Sequence, residues 1–321
     1  MASLARSEPV AGRTARLAEQ LTRLPPTSFF LVSAVFHYLG PSLAVLLFAR
    51  VDVLGVAWLR IASAAAVFAV WRRPWRLGAR LSAGQRRVLL ALGGVLAAMN
   101  SLFYLAVDRL PLSTVGAVEF LGTVILAAAG VRNPRNLLAL ALAVGGVAAL
   151  TDIRLAGEPL GFLFAFANCA AFMLYVVLGH RIANTPADRT AGGGTMSGID
   201  QLGAAMFVAA VVATPLGIAG AVPAFLRPDW LLWGVGVGLC SSVIPYVTDQ
   251  LAMARLPRAT FALMLAILPA TATGIGLVVL GQVPTGQDLL GIGLVIAGVA
   301  LRQDPPASAF DQLPVHRKDS A

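Results

Sequence analysis

Charge is what this sequence has least of. Only 12% of the 321 residues are Asp, Glu, Lys or Arg, and Lys318 is the sole lysine. A water-facing globule of this size carries far more charge on its surface, so a bundle of membrane helices is expected instead. Cysteine is nearly absent as well. Cys169 and Cys240 both fall inside apolar runs, which leaves neither a disulfide framework nor a zinc spacing, and both read as small helix-packing residues. No GxSxG or HExxH occurs, and of the three histidines only His37 lies far from a loop or tail. A Ser/His hydrolase therefore lacks its parts, and metal ligands at usable spacing are missing. The glycine patches at 234–238, 274–276 and 291–293 follow no strand, so they suit close helix contact rather than a nucleotide loop. No cofactor and no metal are expected, and an intramembrane enzyme is the weaker class.

What the sequence does have is long apolar runs. It is 58% hydrophobic, with a mean hydropathy of +0.81. Ten runs stand out, at about 27–48, 53–71, 87–107, 110–130, 135–151, 159–179, 199–221, 230–252, 257–280 and 286–301. Each approaches the roughly 20 residues that a spanning helix needs. The first is too long for a signal-peptide core and has no convincing cleavage site, so it should stay in the bilayer. Before it, residues 1–26 form a basic segment with Arg6, Arg13, Arg16 and Arg23. Leu17, Leu21 and Leu24 give that segment helical spacing, so it is either a helix on the membrane surface or a flexible tail.

The net charge of +9 raises nucleic acid as a partner, but the arginines are strewn between apolar runs. The positive-inside rule explains them better. With the N-terminus inside and the runs alternating, nineteen of the 24 basic residues fall inside and four outside, leaving Arg60 within a helix. Both termini are therefore expected in the cytoplasm.

The chain also echoes itself. Positions 105–114 (LAVDRLPLST) and 251–260 (LAMARLPRAT) share six residues, and the charge count puts the first outside and the second inside. The expectation is an all-α membrane protein with ten transmembrane helices in two inverted five-helix repeats, the architecture of a transporter. The first repeat would span 27–152 and the second 153–302, hinged at 152–158, with a cytoplasmic tail at 303–321. The loop at 180–198, rich in Gly and Thr, would be flexible.

Four polar groups lie deep in the first half: Arg60, Asn100, Tyr104 and Glu119. Glu119 stands about nine residues into its run, roughly 13 Å along the axis, and is the only acid in the middle of any apolar run. Asn100 and Tyr104 are four apart and share a helix face. Small neighbours, Gly116 and Gly122 near Glu119 and Ala57 and Ser63 near Arg60, turn these faces toward other helices or a cavity. A charge at that depth marks a functional site by default. The competing reading is an ion pair between Arg60 and Glu119 that only holds helices together. In the second half Asn168, Phe172 and Tyr175 share a face, while Ser241, Ser242, Tyr246, Thr248, Asp249 and Gln250 cluster around Pro245. Asp249 lies near a helix end, where it is either a boundary carboxylate or part of a pathway. His37 reads as a helix contact or a proton relay. Pro41, Pro215, Pro245 and Pro269 interrupt apolar runs and suit helices that kink and gate.

Several stretches resemble the drug/metabolite transporter superfamily, EamA-like branch, and within it the bacterial threonine/homoserine exporters. They are LGVAWLRIA (54–62) with PWRL (74–77), MNSLFYLAVDRLPL (99–112), GAVEFLG (116–122), and IPYVTDQLAMARLP (244–257) with RATF (258–261). The similarity spans nearly all ten runs. It implies an exporter of small metabolites in the bacterial inner membrane, amino acids first, driven by proton exchange. Arg60, Asn100, Tyr104, Glu119, Tyr246 and Asp249 match the family's polar positions. The chain departs from the pattern at Leu268 before Pro269, at the turn Gly281–Gln282–Val283, at Phe172 and at Val45. These losses of polar groups keep open a less polar cargo, a hydrophobic or cationic drug-like compound. The expected partners are a small-molecule substrate, protons and the lipid bilayer, with no nucleic acid. Monomer and homodimer both stay open.

Overall fold

The computed structural model describes residues 25–72, 83–130, 133–151, 158–184, 198–253, 255, 264–265 and 267–303. The basic N-terminal segment, PWRL (74–77), RATF (258–261), nearly all of the 152–158 hinge and the C-terminal tail beyond Gln303 lie outside these residues, as does most of the 180–198 loop.

Among the described residues, ten helices follow one another. They are α1 (Pro26–Phe48), α2 (Val53–Arg72), α3 (Ala83–Val107), α4 (Leu112–Gly130), α5 (Pro134–Thr151), α6 (Pro159–Asn184) and α7 (Gly198–Phe225). Next comes α8, a continuous rod made of Pro228–Gly238, a π-helical turn at Leu239–Val243, and Ile244–Met253. The last two are α9 (Ile267–Leu280) and α10 (Gly286–Leu301). Six of the ten are long and apolar enough to cross a membrane, and α4, α5, α9 and α10 are shorter apolar helices.

The sequence dictates most of these ends. Proline opens α1, α5, α6 and α8, where a fixed φ helps and the missing N–H costs nothing. The Asp52 carboxylate accepts from the amides of Leu54 and Gly55 and so starts α2. Thr285 and Asp288 form a reciprocal capping box on α10. The turn at Asp108–Arg109 separates α3 from α4, keeping the two runs distinct. Gly281 closes α9 at φ +66, a left-handed position that suits glycine. There the Gln282 amide reaches back to the Gly276 carbonyl at 3.0 Å, closing the end of α9.

The prolines differ in their placement. Pro41 and Pro215 lie inside α1 and α7, and Pro223 is a further interior proline of α7. Pro245 is the second residue after the π turn of α8. Pro269 sits in the first turn of α9, where a proline starts a helix instead of bending one. Residues 256–263 and 266, which carry the expected course of this run from near 257 to Pro269, lie outside the described residues.

The helices pack in a regular scheme. α2 lies along α7, α5 along α10, and α3 along both α6 and α7. α1 packs on α8 and α9, while α4 touches α5, α6, α9 and α10. Small residues let these backbones approach. A side chain on Gly146 would run into the Gly291 carbonyl, and one on Gly298 into that of Ala139, so α5 and α10 meet almost backbone to backbone. Cys169 is buried against Gly122 where α4 crosses α6. The outward surface is apolar, with Leu163, Val211, Leu216, Leu232 and Val278 all exposed, as a lipid-facing exterior requires.

Two glycines of α10 separate packing from mere composition. Gly298→Val should lower stability in detergent by about 1–3 kcal/mol through overpacking. Gly293→Val, where a side chain meets nothing within 4 Å, should shift the unfolding temperature far less. Equal shifts would mean that α5 and α10 do not touch in this register.

Candidate functional site

The polar residues of six helices meet at one cavity of about 40 Å³. α1 contributes His37 and Pro41, α2 Arg60, α3 Met99, Asn100 and Phe103, and α4 Glu119. α6 adds Asn168, Phe172 and Tyr175, and α8 adds Tyr246. Helical spacing explains the groupings: His37 and Pro41 are one turn apart, and Asn168, Phe172 and Tyr175 follow a single face.

Arg60 is 6% exposed, yet well held. Its Nε donates to the Ser242 hydroxyl at 3.0 Å and its Nη2 to the Ser241 carbonyl at 3.2 Å. The carbonyl is available for a backbone reason. In an α-helix it would accept from the amide of residue 245, and Pro245 has none. The π turn just before that proline offers the freed oxygen to α2. The guanidinium also lies 5.2 Å from the centre of the Tyr104 ring, a cation–π arrangement. The Tyr104 hydroxyl in turn stands 3.5 Å from the Ser241 hydroxyl. Tyr104 thus supports Arg60 from beneath and does not line the cavity.

Glu119 is 5% exposed and less well provided for. Among the described residues, its Oε2 has no hydrogen-bond partner, and neither has the Nδ2 or the Oδ1 of fully buried Asn168. Asn168 stands beside the Glu119 carboxylate and makes a weak polar contact with it, short of full hydrogen-bond geometry. Asn100 differs, since its Nδ2 donates to the Leu96 carbonyl at 2.7 Å and is spent on its own helix.

Among the described residues no ion pair joins Arg60 to Glu119. Ion pairs form instead toward helix ends, as at Arg72–Asp200 (2.6 Å), Arg109–Asp108 (3.0 Å) and Arg227–Asp229 (3.3 Å). A purely structural pairing of the two central charges is therefore not what this arrangement contains. Asp249 is half-buried beside Ser33 of α1 and does not line the cavity. Among the described residues no cluster of His, Cys, Asp or Glu is placed to hold a metal ion.

Of the residues expected from the sequence, Arg60, Asn100, Glu119, Asn168, Tyr175 and Tyr246 come together. Met99 and Phe103 were not foreseen at the cavity, and apolar side chains on an apolar helix carry no signal that would have found them. The roles of Ser241 and Ser242 were also missed. Pro245, four residues after Ser241, was the available clue.

No family model matches the chain. It is 30% identical to the threonine/homoserine exporter RhtA of Escherichia coli K12 over 238 residues, 72% of this chain and 75% of that protein. It is equally similar to the RhtA of Salmonella typhimurium LT2 over 224 residues, 68% and 70% of the two chains. The chain belongs to the RhtA-like exporter family. A crystal structure of a protein 18% identical to it shares the fold, with a TM-score of 0.56 over 86% of this chain and 96% of that one. As a member of an exporter family with several membrane-length helices, the chain is a multi-pass membrane protein, and its central cavity lies where helices from across the bundle of this RhtA-like exporter converge.

The hold on Arg60 can be measured by a double-mutant cycle. Arg60→Met and Ser242→Ala should show a coupling of about 1.5–3 kcal/mol in unfolding free energy, as expected for a hydrogen bond to a charged group. Coupling below about 0.5 kcal/mol, the usual additivity error, would mean that the contact contributes nothing.

Proposed function

We propose that this protein exports small amino acids across the bacterial inner membrane in exchange for protons. The observation that carries this reading is the meeting of one buried cation, Arg60, and one buried acid, Glu119, at a single cavity without pairing. A zwitterionic amino acid supplies the two missing partners. Its carboxylate suits the planar guanidinium of Arg60, and its ammonium suits Glu119. The relatives named as threonine/homoserine exporters point to the same cargo. Phe103, Phe172 and Tyr246 give the cavity aromatic walls that would also receive a flat hydrophobic compound. Arg60 weighs against a cationic one.

At about 40 Å³ the cavity has room for only a water or two, at roughly 30 Å³ each. Substrate-bound states must therefore be wider, as alternating access requires. The helix contacts support two inverted halves related by a shift of five helices. Exchanging each helix for its counterpart turns α1·α8 into α6·α3, α1·α9 into α6·α4, and α3·α7 into α8·α2. It returns α2·α7, α4·α9 and α5·α10 to themselves. Two such halves are the drug/metabolite transporter architecture. With both termini in the cytoplasm, the ten helices all span the bilayer. Pro41, Pro215 and Pro245 give α1, α7 and α8 places to bend as the halves rock, while Pro269, at a helix start, does not.

Glu119 is the coupling carboxylate in this scheme, alternately holding a proton and the substrate ammonium. Asn100, Tyr104, Tyr175, Tyr246 and Asp249 complete the pathway. Tyr104 acts through Arg60, and Asp249 stands off the cavity toward the cytoplasmic end of α8.

Inside-out vesicles, acidified inside, should take up labelled threonine when they contain the wild-type protein. Glu119→Gln should insert and accumulate normally, yet take up threonine at the same rate with and without the gradient. Full gradient-driven uptake by Glu119→Gln would place the proton elsewhere. Reporters fused after Arg80, Gly193 and Gln303 should read cytoplasmic and one after Arg154 periplasmic. A C-terminal fusion that reads periplasmic would overturn the inverted repeat.

A further inference from the structure

The amide of Asn168 is a polar group at the cavity that neither the fold nor the proposed charge pairing employs. It is fully buried, it lines the cavity, and both its Nδ2 and its Oδ1 lack a hydrogen-bond partner among the described residues. Asn100, on the facing helix α3, shows the alternative, because its donor is satisfied by the carbonyl one turn back in its own helix. Asn168 makes no such bond. A buried amide with both ends open carries a free-energy penalty that persists until a ligand or water supplies a donor and an acceptor together.

We propose that Asn168 is the specificity-determining residue for a β-hydroxyl group on the transported amino acid. The proposal rests on the amino-acid reading of the cavity and names the subclass of substrate. A hydroxyl is the smallest group that gives and takes a hydrogen bond at one atom, so it can accept from Nδ2 while donating to Oδ1. Position selects the β-carbon. Asn168 stands beside Glu119 across the α4–α6 contact, close to where the substrate ammonium is placed. On a β-hydroxy amino acid the hydroxyl is on the carbon next to the one bearing that ammonium, so the two groups reach adjacent side chains. The carboxylate points the other way, toward Arg60. Apolar walls at Met99, Phe103 and Phe172 leave no other uncommitted amide at the cavity to read the hydroxyl.

Threonine and valine test this directly, because they differ by a hydroxyl in place of a methyl group of similar size. A site built around a hydrogen bond rejects the analogue lacking it much more strongly than an apolar pocket tells apart two apolar chains. In vesicles at low substrate, wild-type protein should prefer threonine over valine by about 10- to 100-fold. In Asn168→Leu that preference should fall to within about threefold, by gain of valine as well as loss of threonine. Asn168→Ser, which keeps a small donor and acceptor, should retain part of it. If Asn168→Leu fails to accumulate, the wild-type ratio and the Asn168→Ser ratio still decide. Equal transport of threonine and valine by wild type would overturn the proposal while leaving amino-acid export intact. So would a loss of both substrates in proportion, which would place the amide on the zwitterion common to them. Transport of neither by wild type would overturn the amino-acid reading and this proposal with it.

Discussion

Two opposite charges are buried in one apolar bundle and kept from neutralising each other, and the rest of the structure depends on this constraint. An unpaired ion in a low-dielectric interior costs several kcal/mol. For Arg60 the fold offsets that cost with protein groups: a serine hydroxyl, a backbone carbonyl and an aromatic face. For Glu119 it supplies less, since one carboxylate oxygen goes without a partner and the neighbouring Asn168 amide makes only a weak polar contact with it. The cation is a fixed part of the scaffold. The acid is left to whatever enters the cavity, a proton, water or cargo.

The scaffold around this asymmetry is stiff where it need not move. α5 and α10 close on each other through Gly146, Gly291 and Gly298, and polar ties fasten both ends. Gln287 reaches the Ala149 carbonyl at one end, and Asn136 exchanges hydrogen bonds with the Gln303 backbone at the other. Two of the helices that line the cavity are interrupted instead. α1 carries Pro41 at the cavity wall, and α8 changes to a π turn where it meets Arg60. Such interruptions lower the cost of bending at those points. The cation is thus anchored on α8 at that helix's own interruption.

Much of this was legible in the sequence, for reasons that can be named. Arg60 and Glu119 stood out because a charge within an apolar run has few explanations. The break between α3 and α4 is marked in the sequence by the polar turn Asp108–Arg109 and by Pro111, which suits a helix start. What could not be read was whatever depends on a second helix. The partnership of Arg60 with Ser242 crosses 182 positions, and hydropathy says nothing about it. Tyr104 shares a face with Asn100, as its spacing requires, but packs under Arg60 instead of lining the cavity. Pro269 looked like a kink within a long run, yet the described helix starts only two residues before it. The ion pair weighed between Arg60 and Glu119 was reasonable from depth alone. Depth fixes the level of a side chain along the helix and leaves its azimuth open, and azimuth decides which neighbour it meets.

The central claim, that Arg60 and Glu119 hold the two charged ends of one zwitterion, is most directly tested by competition binding to the purified exporter. Labelled L-threonine would be displaced by unlabelled L-threonine, by its methyl ester, which lacks the carboxylate, and by N-acetylthreonine, which lacks the ammonium. The account predicts strong displacement by the intact amino acid and little by either blocked form. Displacement by the methyl ester as effective as that by threonine itself would contradict it, because a site organised around the Arg60 guanidinium cannot be indifferent to the carboxylate.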